Sequence, residues 1–393
     1  MTIKVLAHKA SFACLGIALL TAGIGWAEIR DQADPLTFRL GLTEPVFVDT
    51  AQGVPSLSFR LADDIWRDAP YAGGSGGQSL DFTYQITAGD FAPAGVVLNN
   101  TIALNGGRIV DVAGNPVALD FGPPDLSAIR IQTHSVTWDN AVISDLQAAT
   151  VFFTLRDAPP GAFFDYTITP GDGAPAGAGG GQTGTGRVSQ ATQQIGPLDL
   201  SSLPDGPIEL ALILRDGAGN AGAPVRASAV KDTDAPTGQG VAFAAGFDPI
   251  GANAVTAVSI VLSGLEAQGA YSLEVSSSGG GATVSRSGTA TGDTVELTGI
   301  DLSSLPDGVL TARLVVLDAA GNAAPGVTAT AQKDTAAPAG YSVAWVTDPV
   351  NGGNVTAAGI QFAAAEIGAS YGYTITSSGG GAPVAGSGTV ASA

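Results

Sequence analysis

Apolar and polar residues alternate with a period of two over short stretches along most of this chain. Across residues 79–88, Leu80, Phe82, Tyr84 and Ile86 fall on one side and Asp81, Thr83, Gln85 and Thr87 on the other, which predicts a strand with one buried face. Ile208, Leu210, Leu212 and Leu214 form a second such face, and Leu310, Ala312, Leu314 and Val316 a third. Tyr271, Leu273 and Val275 match Tyr371, Tyr373 and Ile375 in the same way. Further strands are expected at 148–155 and 163–169, with a flexible glycine-rich connection at 71–77 and a Gly/Ala/Pro-rich excursion at 170–186. No stretch after residue 27 carries a helical period. Short alternating strands between turn residues predict an all-β fold of antiparallel sandwiches of the immunoglobulin type.

The strands belong to a repeat. DLSSLPDG at 199–206, DGAGN at 216–220 and KDTDAP at 231–236 return 102 residues later as DLSSLPDG at 301–308, DAAGN at 318–322 and KDTAAP at 333–338. A period of about 100 residues is a whole domain, whereas solenoid turns repeat every 20–50. The expected divisions are a leader at 1–27, a divergent first sandwich at 28–129, two full repeats at 130–231 and 232–333, and a partial repeat at 334–393. The first sandwich shares the DVAGN turn at 111–115. The partial repeat lacks counterparts of DLSSLPDG, the 310–317 strand and DAAGN, so a premature end and marginal folding after Pro338 are expected.

Composition narrows the function. Of 35 acidic residues, 28 are Asp and 7 are Glu, a bias toward turn formers over helix formers. The net charge of −19, without any basic cluster, excludes nucleic-acid binding through a cationic face. Lys4, His8 and Lys9, the apolar run 12–20 and the Gly25-Trp26-Ala27 ending resemble an export leader cut after Ala27, with an uncleaved anchor over 10–27 as the alternative. The single cysteine, Cys14, lies in that leader, so the mature chain carries no disulfide.

The Asp-x-Ala-Gly-Asn turns followed by a closing strand and Lys-Asp-Thr-x-Ala-Pro resemble the tandem bacterial immunoglobulin-like repeats of secreted adhesins and biofilm-associated surface proteins, over about 130–393. The resemblance implies an exported, non-enzymatic adhesin or adhesin stalk, extracellular or cell-surface, with the periplasm as a further place. Its partners would be cell-surface or matrix components, polysaccharide among them, with no nucleic acid and no membrane span in the mature chain. A carbohydrate-binding accessory module and the scaffold of a larger secreted enzyme are the alternatives.

Catalytic chemistry has little to work with. After the leader only His134 could act as a base near neutrality, and IQTHSVTW reads as a strand carrying a surface or core-edge histidine. HExxH and Walker patterns are missing from the sequence. Trp66, Trp138 and Trp345 are expected in core or domain-edge packing, with sugar stacking as the other reading. In an immunoglobulin-type sandwich, Asp205 would sit at one end of domain two and Asp318 with Asn322 at the facing end of domain three, flanking the linker of Asp232 and Asp234. Such oxygens suit calcium, and the resemblance places a linker-stiffening calcium on Asp232 and Asp234. The alternative is that each Asp caps its own turn.

Overall fold

A computed structural model describes residues 2–5, 19–20, 28–122, 124–172 and 180–392, so nearly all of the expected leader lies outside the described residues. Strands hold 50% of the chain and helix 3%, which makes the protein all-β. The chain forms two compact units, Met1–Asp234 and Ala235–Ala393.

The first domain of unit one is built on the 15-residue strand Pro35–Asp49, whose alternation buries Leu36, Phe38, Leu40 and Leu42. Its register on Gly77–Gln85 shifts between Gly41, opposite Ser79, and Val46, opposite Gly77, so the strand bulges there. Strands Arg108–Asp111, Pro35–Asp49, Gly77–Gln85, Trp66–Gly73, Ser56–Arg60 and Val97–Ala103 follow one another edge to edge around a single core. Phe38 meets Phe59 at 5.3 Å and Phe59 meets Tyr84 at 5.1 Å between ring centres. Each buried phenylalanine contributes about 2–3 kcal/mol by leaving water.

The connection at 71–77 is tighter than its glycines suggest. Tyr71 remains in a strand because its ring packs edge-on against Phe82, and its hydroxyl accepts the Ser75 N–H at 2.8 Å. Gly74 and Gly76 take φ of 103° and 80°, and a Cβ on Gly74 would lie 2.0 Å from the Ser79 carbonyl oxygen.

Domain two has two facing sheets. Ser135–Trp138, Val151–Arg156 and Gln193–Leu198 make one; Val142–Ile143, Val225–Lys231, Gly206–Arg215, Phe163–Pro170 and Gln182–Arg187 make the other. The first strand divides between the sheets, since Val142–Ile143 crosses over to run parallel to Val225–Lys231. A single helical turn, Asp145–Ala148, occupies part of the expected 148–155 strand, which begins at Val151. Ile208, Leu210, Leu212 and Leu214 all face the core as their alternation requires.

In unit two, the third domain repeats this arrangement. Gly240–Phe243, Val258–Ser263 and Val295–Ile300 face Val284–Thr289, Ala270–Ser277, Gly308–Leu317 and Val327–Lys333. Ile250 bridges Lys333 in parallel, as Val142–Ile143 does in domain two. Residues after Pro338 form two ribbons, Ser342–Trp345 with Ile360–Ala363 and Ser370–Ile375 with Val384–Thr389. These correspond to Gly240–Phe243 with Val258–Ser263 and to Ala270–Ser277 with Val284–Thr289 of domain three. The equivalents of its inner faces stay open: Val343 is 59% exposed and Trp345 47%. The protein is therefore a string of immunoglobulin-like β-sandwiches.

Candidate functional site: the motifs at the domain ends

The two recurring halves of the repeat motif meet in space. Lys231 ends the last strand of domain two, and Asp205 precedes the strand beside it, so pairing Gly206 with Lys231 brings their side chains together. Lys231, 3% exposed, donates from Nζ to Asp205 Oδ1 at 2.5 Å. The Thr233 N–H donates to Asp205 Oδ2 at 2.7 Å, and the Thr233 hydroxyl lies 3.0 Å from both carboxylate oxygens. Burial raises the proton affinity of Asp205, but the bonds from Lys231 and Thr233 and the charge of Lys231 outweigh it and hold the carboxyl below its usual range.

The arrangement recurs in domain three with the same atoms. Lys333 Nζ donates to Asp307 Oδ1 at 2.9 Å and to the Leu305 carbonyl at 2.6 Å, while the Thr335 N–H reaches Asp307 Oδ2 at 2.9 Å. Each clamp ties the chain leaving a sandwich to the turn beneath it. Gly206 and Gly308, which follow the two aspartates, take φ of 123° and 137°, so the LPDG motif needs its glycine for backbone and its aspartate for the clamp.

At the other end of each sandwich lies the Asp-x-x-Gly-Asn turn. Asp216 Oδ1 accepts the N–H groups of Ala218 at 3.0 Å and Asn220 at 2.8 Å, and Oδ2 accepts Asn220 Nδ2 at 2.8 Å. Asp318 with Asn322 and Asp111 with Asn115 repeat the pattern, at 2.7 and 2.9 Å for the side-chain bond. Gly114, Gly219 and Gly321 supply the positive φ that the turn demands.

Within unit one the second of these turns docks on domain one. The Gly217 N–H donates to Asp63 Oδ1 at 2.7 Å. The Gln132 side chain pairs with the backbone of Ala223 in both directions, at 3.1 and 2.9 Å. Strand Ile129–Gln132 spans the expected 129/130 division: it pairs with Glu28–Arg30 and Phe91–Ala92, and Ile129 and Ile131 are buried in the first core. Phe91 crosses the other way and is buried in the core of domain two. Beneath it, Asp90 is fully buried and accepts Arg67 Nε at 2.9 Å and the Tyr84 hydroxyl at 2.7 Å.

A cleft of about 460 Å³ opens beside this joint, lined in part by Arg60, Asp63, Asp64, Val97, Asp216 and Asn220. Trp66 is 51% exposed and pairs across the strands with Arg60, which in turn pairs with Val97, so the three side chains share the outer face of the sheet. Trp66 thus departs from core packing. Trp138 conforms to it, being buried edge-on to Phe153 with Nε1 donating to the Ala227 carbonyl at 3.2 Å.

The expected calcium ligands have partners of their own kind. Asp205 is held by Lys231 and Thr233, and Asp318 and Asn322 hold each other within one turn. Among the described residues no three His, Cys, Asp or Glu side chains converge as a metal group. The clamp itself was legible as a signal, because LPDG and KDT recur together at a spacing of 26 from Asp to Lys.

No protein-family model matches the chain, and no curated protein does. Among solved structures, it is similar to a tetra-tandem repeat in the extending region of a large adhesion protein, at 20% identity over 90% of this chain and 83% of that one, with TM-score 0.27. It is also similar to a structure from a 1.5-MDa bacterial ice-binding adhesin concerned with host cell surface retention, at 17% identity over 78% and 94%, TM-score 0.29. Two fibronectin type-III domains of chicken tenascin give 11% identity over 47% and 94%, TM-score 0.21.

Proposed function

We propose that this chain is a non-enzymatic, exported repeat protein of adhesin type, in which the sandwiches act as spacers that carry a binding function away from the surface. The observation that carries this reading is the clamp of Asp205, Lys231 and Thr233, which returns as Asp307, Lys333 and Thr335 and fixes the direction in which the chain leaves each domain. A spacer needs that, because a freely jointed exit would let successive domains fold back on one another. Pulling the full chain in a single-molecule instrument tests it. Domains two and three should rupture in separate events, each releasing roughly 30 nm, as about 100 residues at ~3.5 Å each would. Gradual extension without discrete steps sinks the reading.

A second reading, carbohydrate binding, is favoured by the half-exposed Trp66 and the polar cleft beside Arg60, since an indole face stacks on sugar rings while carboxylates and amides bind hydroxyls. Glycan-array binding by the full chain that disappears in Trp66→Ala supports it; equal binding by the variant removes it. Calcium in the linker belongs to the same proposal, resting on Asp232 and Asp234.

A further inference from the structure

The linker between domains one and two is three residues that each hold the joint. Gln132 binds Ala223, as described above. Thr133 Oγ1 accepts the Gly89 N–H at 3.0 Å, and its one proton lies between the carbonyls of Asp90 at 3.3 Å and Asp157 at 3.2 Å. His134 follows, 5% exposed, with its ring edge-on to Phe91 at 5.8 Å. A Cβ on Gly222 would lie 2.8 Å from Gln132 Oε1 and 3.0 Å from the Phe91 ring, so the seam is closed on that side too.

The first two residues satisfy their polar atoms and His134 does not. Both of its ring nitrogens are buried without a hydrogen-bond partner. A hydrocarbon ring would fill the same space without leaving two buried polar atoms unpaired, which is costly. An imidazole there adds one capacity that a phenyl ring lacks, which is to gain a proton.

We propose that His134 makes the joint between domains one and two acid-labile, so that protonation of the buried ring releases domain one from domain two. The charged groups on the surrounding elements are engaged elsewhere: Asp90 with Arg67 and Tyr84, Arg215 with Asp165, and Asp216 with Asn220. Arg156 and Asp157 follow on the strand and turn facing the linker. None of them offsets a charge on His134, whose pKa is lowered to about 4 by burial alone. Since the folded value lies below the ordinary 6.5, the joint is fully stable above 6.5 and loses stability as pH falls toward 4.

Hydrogen exchange of the full chain, corrected for intrinsic rates, reads this directly at the amides of Gly89 and Ala223, which donate across the joint. Their protection should fall about thirtyfold between pH 7.5 and 5, while amides of strand Gly308–Leu317 hold. His134→Phe should abolish the fall; His134→Leu serves if the larger ring disturbs the seam at pH 7.5. Independently, the His134 resonance in the wild-type chain, assigned by its loss in either variant, should titrate near 4. A midpoint near 6.5, protection that holds at pH 5, or the same fall in the folded variants each overturns the proposal.

Discussion

Lys231 and Asp205, 26 residues apart in sequence, meet at 2.5 Å at the end of domain two, with the ammonium buried and the carboxylate a quarter exposed. A buried lysine needs this partner more than the partner needs it, because an unpaired ammonium costs several kcal/mol where water cannot reach. Asp205→Ala should therefore destabilise domain two by about 2–3 kcal/mol, less than a fully buried pair would cost because Asp205 retains some water. Replacing both residues, as Asp205→Leu with Lys231→Met, should recover part of that loss. Differential scanning calorimetry of the full chain separates the outcomes; an unchanged domain-two transition in Asp205→Ala would show that the clamp is ornamental.

The same carboxylate sets an acid limb. Its folded pKa is depressed, so its contribution is complete above the unfolded value of about 3.9 and disappears as pH falls through the lower, folded one. Asp205→Asn, which retains the shape and loses the charge, should flatten the stability–pH curve of domain two below about pH 4. Urea midpoints taken from pH 2 to 6 check the slope.

Phe91 lies in the chain of domain one and in the core of domain two. Phe91→Ala should cost about 3–4 kcal/mol, and the loss should fall on the domain-two transition, whereas Phe82→Ala should fall on domain one. Domain-resolved hydrogen exchange distinguishes the two. Equal loss of protection in domain one from both variants would contradict the crossing.

Gly74 turns the hairpin of domain one at φ 103°, with the Ser79 carbonyl where a Cβ would go. Gly74→Ala should cost at least about 2 kcal/mol, from the backbone region and the clash together. Gly73→Ala, one residue earlier with open space around it, is the control.

Calcium in the linker predicts an extended, stiff string with the ion and a more compact average with chelator, because like charges at Asp232 and Asp234 come together only around a cation. Small-angle scattering of the full chain in both conditions, with calorimetry, reads it. Identical profiles and no binding heat would leave Asp205 to its lysine and the others to their turns.

The sequence by itself determined the all-β class, the repeat of 102 residues and the inward faces of the long strands. Those follow from properties of near neighbours, since side chains alternate along an extended backbone whatever it later packs against, and Asp-x-x-Gly-Asn closes its own turn. The tertiary structure decided which of the recurring aspartates serve turns and which serve clamps. It also took Trp66 out to the surface, sent Phe91 into the neighbouring core and buried His134 with nothing to bond. None of these is local: each depends on how sheets close and domains abut, which sets the environment of a side chain from residues dozens of positions away. Ile129 and Ile131 fall on either side of the expected 129/130 division, and pairing with Glu28–Arg30 buries both in the first core.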